Sequence, residues 1–225
     1  MDLHTLVQHP PEYAFPENDC EATHVPGRNG DIIVDTGSRK NVDRTYNLAI
    51  DARKISYTEV ASKLVQWLHS SNGYARLEDS YEPDFYRMAI YKDQGTISNI
   101  YNKAGTIDVT FNCKPQRYFK SGEEPDTINH GMEYRNPTDF ASRPKIIVHG
   151  SGSGNIYIGN YHVGVNSIID GMTIDSEIQD VYYGTTNCNQ NVSIDEFPKI
   201  VSGNNYISFS GGITSLEIIP RWWTL

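Results

Sequence analysis

Apolar and polar residues alternate along many short segments of this chain, and a period of two favours β-strands. The clearest run places Ile107, Val109, Phe111 and Cys113 on one face and polar residues on the other, which is typical of a half-buried strand. Similar strands are predicted at 31–34, 42–51, 74–78, 84–91, 96–101, 145–149, 154–158, 161–166, 168–175, 205–210 and 213–219. Because Gly, Asn and Pro separate them, the sequence predicts a mostly β protein of antiparallel β-sandwiches.

One segment has a helical period instead. The run Ser56-Tyr57-Thr58-Glu59 has the spacing of a capping box, in which the serine and the glutamate satisfy each other's backbone amides. An apolar stripe then recurs at the spacing of an amphipathic helix: Tyr57, Val60, Ala61, Leu64, Val65 and Leu68. We predict a helix over 57–70, ended by Asn72-Gly73 and lying on a sheet.

The density of charged residues changes along the chain. Residues 1–135 contain 35 Lys, Arg, Asp and Glu, whereas residues 136–225 contain 12. The segment 121–143 is rich in Pro, Gly and acidic residues and shows no apolar period, as in a connection between domains. We therefore predict two domains, 1–135 and 136–225.

The motifs that suggest catalysis fail in detail. The run Gly150-Ser151-Gly152-Ser153-Gly154 lacks the Lys-Ser/Thr of a phosphate-binding loop, and we interpret it as a flexible hairpin tip. The doublets Glu78-Asp79, Glu123-Glu124 and Asp195-Glu196 would point to opposite faces of a strand, so they are not the facing pair that glycoside hydrolysis needs. The seven histidines are dispersed. We expect no enzyme activity, no catalytic residues, no metal site and no cofactor.

Charge and cysteine content limit the expected partners and compartment. The net charge of −9 opposes contact with phosphate backbones. Cys20, Cys113 and Cys188 have no metal-ligand spacing and suggest reduced thiols in a cytoplasm. No run of 18 apolar residues is present, and Met1-Asp2-Leu3-His4 does not resemble a signal peptide. We expect neither a membrane span nor export by the general secretory route.

The aromatic residues are the main functional ambiguity. The chain has 15 Tyr, 7 Phe and 3 Trp. Exposed rings stack on sugars or anchor protein interfaces, whereas buried rings fill a sandwich core. The candidates for contact with a glycan or a partner are Tyr182, Tyr183, Trp222 and Trp223.

A series of short motifs runs through nearly the whole chain. In the first half they are Val25-Pro26-Gly27-Arg28-Asn29-Gly30, Lys40-Asn41-Val42, Gly73-Tyr74-Ala75-Arg76-Leu77, Asp84-Phe85-Tyr86-Arg87 and Val109-Thr110-Phe111-Asn112-Cys113-Lys114-Pro115. In the second half they are Arg143-Pro144-Lys145-Ile146, Thr173-Ile174-Asp175-Ser176-Glu177, Phe197-Pro198, Gly203-Asn204-Asn205-Tyr206-Ile207 and Pro220-Arg221-Trp222-Trp223. This ordered set resembles the distal tail protein (Dit) family of siphophages and prophages of Gram-positive bacteria. Arg39 departs from it, since the family has an aromatic residue there.

The resemblance implies a virion structural protein at the tail tip, made in the host cytoplasm. It implies a tail-tube-like N-terminal β-sandwich with a flanking helix and a galectin-like C-terminal β-sandwich. Six copies would form a ring between the tail tube protein and the tail-tip or baseplate protein, next to the tape measure protein. Genome DNA would pass through the lumen without specific binding, and no membrane is involved.

Within this interpretation, one turn is a candidate for contact between copies. It separates two predicted strand regions, and its glycines suit a tight turn with positive φ. The candidate interface residues are Val25, Pro26, Gly27, Arg28, Asn29 and Gly30. An ordinary hairpin turn is the equal alternative. For the whole chain the alternatives are a carbohydrate-binding module that recognises host cell-wall glycans, a plain tail-tube subunit, and a polysaccharide hydrolase.

Overall fold

The computed structural model describes residues 4–225, so the N-terminal run 1–3, where no signal peptide is expected, lies outside it. The chain divides into two compact units between Arg117 and Tyr118, with Leu225 assigned to the first unit. The boundary predicted near 135 is therefore too late. The Pro- and Gly-rich segment beyond Tyr118 contains two strands that pair within the second unit, because their partners lie near the end of the chain.

From residue 4 onwards, the first unit contains one antiparallel sheet, one helix and a separate hairpin. Its elements are β1 (Thr5–Val7), β2 (Asn18–Thr23), β3 (Ile32–Arg39), β4 (Val42–Asp51), α1 (Tyr57–Leu68), β5 (Ala75–Leu77), β6 (Phe85–Ile90), β7 (Ser98–Ile100) and β8 (Ala104–Phe119). The strand order is β1-β4-β8-β6-β5, and β7 pairs with β8. Strands β2 and β3 form the hairpin.

Helix α1 covers the buried face of the first sheet. Alternate residues of β4 point into this core, as the period of two predicts. The buried cluster joins helix and sheet: Tyr46, Leu48, Ile50, Val60, Leu64, Leu68, Tyr91, Ile107 and Val109. At about 25 cal/mol per Å² of apolar surface removed from water, burial of this stripe is the main force that holds the helix on the sheet.

Both ends of α1 differ in detail from the prediction. The helix begins at Tyr57 with Ser56 as its N-cap residue, but the serine side chain makes no capping hydrogen bond. Glu59 instead accepts a hydrogen bond from Lys63 Nζ at 2.7 Å, an i,i+4 pair of the kind that stabilises exposed helix faces. The helix ends at Leu68, before the predicted Asn72-Gly73, and Gly73 does not have a positive φ.

A buried ion network lies on the same face as the apolar core of the first unit. Arg44 Nη2 lies 2.9 Å from Asp79 Oδ2 and 3.0 Å from Glu82 Oε2. Burial alone raises the pKa of Asp79, but the hydrogen bond from Tyr46 and the charge of Arg44 outweigh it and lower that pKa. Burial also raises the pKa of Glu82, but the hydrogen bond from Arg117 and the charge of Arg44 outweigh it and lower that pKa. Both carboxyls therefore stay ionised inside the fold.

The second unit is a larger antiparallel structure. Its elements are β9 (Asp126–Ile128), β10 (Met132–Asn136), β11 (Lys145–Ile158), β12 (Tyr161–Ile168), β13 (Met172–Asp175), β14 (Asp180–Tyr183), β15 (Thr186–Asn187), β16 (Val192–Ile194), β17 (Gly203–Ile219) and β18 (Trp223–Thr224). Two short 3-10 helices, Lys120–Glu123 and Asn189–Asn191, complete it.

Two long strands, β11 and β17, pass through both layers of this unit. Residues 145–150 of β11 pair with residues 213–219 of β17, and β13 and β9 flank this half. Residues 154–158 pair with residues 207–211, and β12 and β10 flank that half. Buried side chains of both halves form one apolar cluster, which includes Ile146, Val148, Ile156, Ile158, Ile207, Phe209, Leu216 and Ile218. Strands β9 to β17 belong to one hydrogen-bonded sheet of nine strands, and its two halves enclose one core as the layers of a sandwich do.

The glycine-rich run 150–154 lies at the bend of β11, so its interpretation as a hairpin tip is wrong. The run stays within the strand and faces Gly211 and Gly212 of β17, where the pairing register shifts. A Cβ atom on Gly212 would lie 1.6 Å from the carbonyl oxygen of Ser151, and one on Gly211 would lie 2.3 Å from that of Ser153. The two backbones approach so closely that side chains do not fit, and the bend lets one strand serve two layers.

The predicted fold class is confirmed: the protein is mostly β, its strands pair antiparallel, and one α-helix accompanies them within residues 4–225. In the part of the chain that the structure describes, no helix is long and apolar enough to cross a membrane.

Candidate functional site

The hairpin of β2 and β3 is a long exposed element of the first unit, and we call it the arm (residues 18–39). In the described residues its two strands pair only with each other. Nearly every residue of both strands is exposed, and none belongs to the apolar cluster of the first unit. A two-stranded ribbon by itself is at best marginally stable in water, so the arm has the properties of an element that packs on a partner.

The turn at the tip of the arm contains the six residues predicted as an interface. The amide of Arg28 donates to the carbonyl of Val25 at 3.2 Å, which closes a turn around Pro26 and Gly27. Gly27 and Gly30 have φ of +82° and +78°, so the prediction that these glycines supply positive φ is confirmed. All six residues lie together and are exposed, apart from half-buried Val25. Their role as an interface stays a prediction.

Polar contacts fix the base of the arm. The pairing register shifts after Asp19, which leaves Thr36 and Gly37 as a bulge. Thr36 Oγ1 donates to the Asp19 carbonyl at 2.6 Å, and Ser38 Oγ donates to Asp19 Oδ2 at 2.9 Å. These bonds hold a local shape without an apolar core, as bulges at sheet edges do.

One ion pair joins the two residues that flank the arm, Glu17 and Lys40. Lys40 Nζ lies 3.2 Å from Glu17 Oε2, and the backbone of Lys40 also donates to the Glu17 carbonyl. The hydrogen bond to Glu17 and its charge raise the pKa of Lys40. Both side chains are exposed, so the pair adds little to stability, but it contributes to where the arm leaves the sheet.

The sequence analysis missed the apolar residues of the arm as a surface. Ile32, Ile33 and Val34 are 39 %, 59 % and 54 % exposed. Because side chains alternate along a strand, Ile32 and Val34 lie on one face and Ile33 lies on the other, beside Ala22 and Cys20. The signal in the sequence was a run of three adjacent apolar residues in a predicted strand. Such a run places apolar side chains on both faces of the strand, and none of the three belongs to the core cluster of the unit. Both faces of the arm therefore carry apolar surface that favours contact.

The four aromatic residues predicted to contact a glycan or a partner do not form one surface. Trp222 is 6 % exposed and stacks on Tyr134, with ring centroids 5.7 Å apart, so it is a core residue and its prediction as a contact is wrong. Trp223 is partly buried and stacks on Phe140 at 4.4 Å. Of the two tyrosines on β14, Tyr183 is 48 % exposed and Tyr182 is half-buried.

The described residues contain no group of three or more His, Cys, Asp or Glu that could hold a metal ion. Cys113 and Cys188 are buried and Cys20 is exposed, all as free thiols. Burial raises the pKa of Cys113 to about 11, so this thiol stays protonated and is a poor nucleophile at neutral pH.

The fold has a known counterpart over its whole length. The crystal structure of the Dit protein of phage SPP1 superposes with a TM-score of 0.77 and 13 % sequence identity, covering 100 % of this chain and 96 % of that one. That protein is described as a paradigm of the hub adsorption apparatus in phages that infect Gram-positive bacteria. No protein-family model and no curated protein matches the chain. The resemblance to the Dit family is thus confirmed at the level of the fold.

Proposed function

We propose that this chain is a structural protein of a phage tail, a distal tail hub whose six copies form a ring between the tail tube and the tail-tip or baseplate proteins. The observation that carries the proposal is the Dit fold along the full length of the chain. The protein would be made in the host cytoplasm, would lie at the tail tip of the virion, and would work by assembly rather than by catalysis.

The arm supports the self-assembly part of the proposal. Among the residues that the structure describes, the edges of the arm are unpaired, and both of its faces carry apolar residues. Such an element gains stability when it adds to a neighbouring sheet or packs on its surface. A contact in which one copy inserts its arm into the next is heterologous, and heterologous contacts that close by rotation give rings. The tip turn and Ile33 would then lie in the same interface.

The polar face of the first sheet, opposite its apolar core, is compatible with the proposal that DNA passes without specific binding. On this face β4 and β8 carry cross-strand polar pairs: Asn112 donates to Asp43 at 2.7 Å, and Thr45 lies 2.8 Å from Thr110. Asn47 and Asp108 pair in the same way. Carboxylates repel phosphate groups, and amides and hydroxyls that are hydrogen-bonded to each other are poor donors to a phosphate backbone. The net charge of −9 also opposes its approach.

We propose that the other neighbours bind the two faces of the ring, the tail tube protein on one and the tail-tip or baseplate protein on the other, with the tape measure protein adjoining. The second sandwich, which we propose is galectin-like, would enlarge the docking surface of the hub. No membrane is part of this arrangement.

The test is the assembly state of the purified full-length chain. We expect light scattering coupled to size exclusion to give a mass six times that of the monomer, and negative-stain images to show rings with sixfold symmetry and a central hole. A monomer in both measurements at every protein concentration, in native salt, would contradict the ring. A closed ring with another number of copies would support the hub and correct the stoichiometry.

A further inference from the structure

A cavity of about 580 Å³ opens in the second unit, outside the arm and outside the four predicted aromatic contacts. Three segments that are distant in sequence line it: the turn between β11 and β12, the residues after β16, and the start of β17. The side chains that matter for its chemistry are Asn160, Tyr161, His162, Asp195, Asn204 and Tyr206. A volume of this size is typical of sites for small molecules.

Aromatic rings form part of the cavity and of the surface beside it. Tyr206 is 57 % exposed, and Tyr161 is half-buried. Next to the cavity, the ring of Tyr157 stacks on that of His162, with centroids 4.9 Å apart and an interplanar angle of 28°. Exposed flat rings of this kind give apolar faces to a ligand that has both apolar and polar surface.

Polar groups are interspersed with these rings. His162 Nε2 lies 3.0 Å from Asn155 Oδ1, which fixes the orientation of the imidazole. Asn160 and Asn204 are exposed, and their amides both donate and accept hydrogen bonds, while the carboxylate of Asp195 accepts them. Hydroxyl groups also donate and accept, so a polyhydroxylated ligand matches this set.

The wall of the cavity is preformed. Asn205 is 2 % exposed, and its side-chain amide donates to the carbonyls of Val201 at 2.8 Å and Gly203 at 3.0 Å. Its Oδ1 accepts a hydrogen bond from the Val201 amide at 3.0 Å. The start of β17, which carries Asn204 and Tyr206, is thus held before any ligand arrives, which reduces the entropy cost of binding.

The charge of the cavity selects against anions. Its charged lining residues are Asp195 and Glu196. Lys199 Nζ lies 2.6 Å from Glu196 Oε1, so this cation is engaged with a carboxylate. These carboxylates would repel a phosphate-bearing polymer, because no Lys or Arg is among the residues that line the cavity. A neutral sugar would contact only hydrogen-bonding groups and rings. We propose that this cavity binds a neutral saccharide, with Tyr206 as a stacking platform and His162 and Asp195 as hydrogen-bonding partners of hydroxyls.

The test uses the intact chain and is independent of ring formation, which mass measurement reports separately. Saturation-transfer difference NMR is recorded with glucose, galactose and N-acetylglucosamine at millimolar concentration, and with glycerol phosphate as the anionic probe. We expect transfer to at least one neutral sugar and none to glycerol phosphate. No transfer to any of the three sugars, or transfer to glycerol phosphate that Tyr206→Ala abolishes, would overturn the proposal.

Matched variants assign the binding to this cavity. Tyr206→Ala removes an exposed ring and should reduce affinity by about tenfold, the effect of one stacked aromatic contact. His162→Gln should reduce it as well while preserving a hydrogen-bonding side chain on the same strand. Tyr183→Ala, which removes a comparably exposed ring elsewhere on the same unit, should leave affinity unchanged. If Tyr183→Ala lowers affinity and Tyr206→Ala does not, the sugar binds elsewhere and the assignment is wrong.

Discussion

Arg221 and Asp175 form a bidentate ion pair inside the second unit. Arg221 Nη1 and Nη2 donate to Asp175 Oδ1 and Oδ2 at 2.6 and 2.7 Å, and Asp175 is 3 % exposed. The two residues come from two of the motifs that suggested the Dit family, Thr173-Ile174-Asp175-Ser176-Glu177 and Pro220-Arg221-Trp222-Trp223. Arg221 also has a φ of +56°, a backbone conformation that is uncommon for a residue other than glycine, and it precedes buried Trp222.

Replacement of Arg221 by Met is expected to lower the free energy of unfolding by about 3–5 kcal/mol, because it leaves a buried carboxylate without its partner. Urea unfolding followed by circular dichroism measures the change. The matched control is Lys199→Met, which breaks the exposed pair with Glu196 and should cost less than about 1 kcal/mol. Equal losses in the two variants would contradict a special role for the buried pair.

Acid should destabilise the protein through the buried carboxyls. Burial raises the pKa of Asp175, but the hydrogen bonds and charge of Arg221 outweigh it and hold the pKa below its ordinary value of 3.8. The pKa values of Asp79 and Glu82 are lowered in the same direction. The unfolded chain then binds more protons than the folded one, so stability is present above the ordinary values and is lost as pH falls through the folded values.

We therefore expect the free energy of unfolding to fall steadily as pH drops below about 4.5. Urea titrations between neutral pH and pH of about 3 measure the slope. Asp175→Asn should be less stable at neutral pH and should show a shallower loss in acid, because one of the three carboxyls no longer titrates. Stability that stays constant or rises on acidification would contradict the assignment.

Local sequence periodicity was sufficient to predict a strand where one face of that strand is buried in its own unit. The strand predicted at 42–51 is β4, Val42–Asp51, because its apolar residues alternate without a break. Strand β2, Asn18–Thr23, was missed because its residues are mostly polar and exposed. This segment is a strand because it pairs with β3. The apolar periodicity of a single segment does not show which other segment it pairs with.

The same limit explains the glycine bend and the cavity. A run such as Gly150–Gly154 suits either a hairpin tip or a bend in a strand, and the contact with Gly211 and Gly212 some 60 residues later decides between them. The cavity joins Tyr161, Asp195 and Tyr206 from three segments. No spacing in the sequence relates these three residues, so sequence analysis had no signal for that site.

The bend also gives a sharp stability prediction. Gly211→Ala is expected to lower the free energy of unfolding by at least about 3 kcal/mol. The new Cβ would lie 2.3 Å from the Ser153 carbonyl oxygen, and the φ of +75° is unfavourable for alanine. Gly184→Ala is the matched control, since Gly184 has φ of +57° but nothing within 4 Å of the added atom; it should cost only about 1–2 kcal/mol. Similar costs in thermal or urea unfolding would mean that the close approach does not matter.

The thiols should differ strongly in reactivity. At about pH 8, and at a protein concentration low enough to give monomers, Ellman's reagent should react with one thiol per folded chain within minutes, because Cys20 is exposed in the single chain whereas Cys113 and Cys188 are buried. Unfolding in denaturant should make the other two thiols, Cys113 and Cys188, react as well. Cys20→Ser removes the fast reaction if the assignment is correct. Two or more fast thiols in the folded protein would show that the second unit or the sheet of the first unit opens readily.

Ile33→Asp tests the arm as the contact between copies. Ile33 is 59 % exposed in the single chain, so the substitution should leave the melting temperature of the protomer nearly unchanged. A carboxylate placed in an apolar interface should raise the concentration needed for ring assembly about a hundredfold, equivalent to about 3 kcal/mol per contact. Ile178→Asp, which changes a similarly exposed residue of the second unit, is the control and should assemble like the parent. Light scattering across a dilution series measures both variants, and rings of Ile33→Asp at parental concentrations would exclude the arm face that carries Ile33 from the interface.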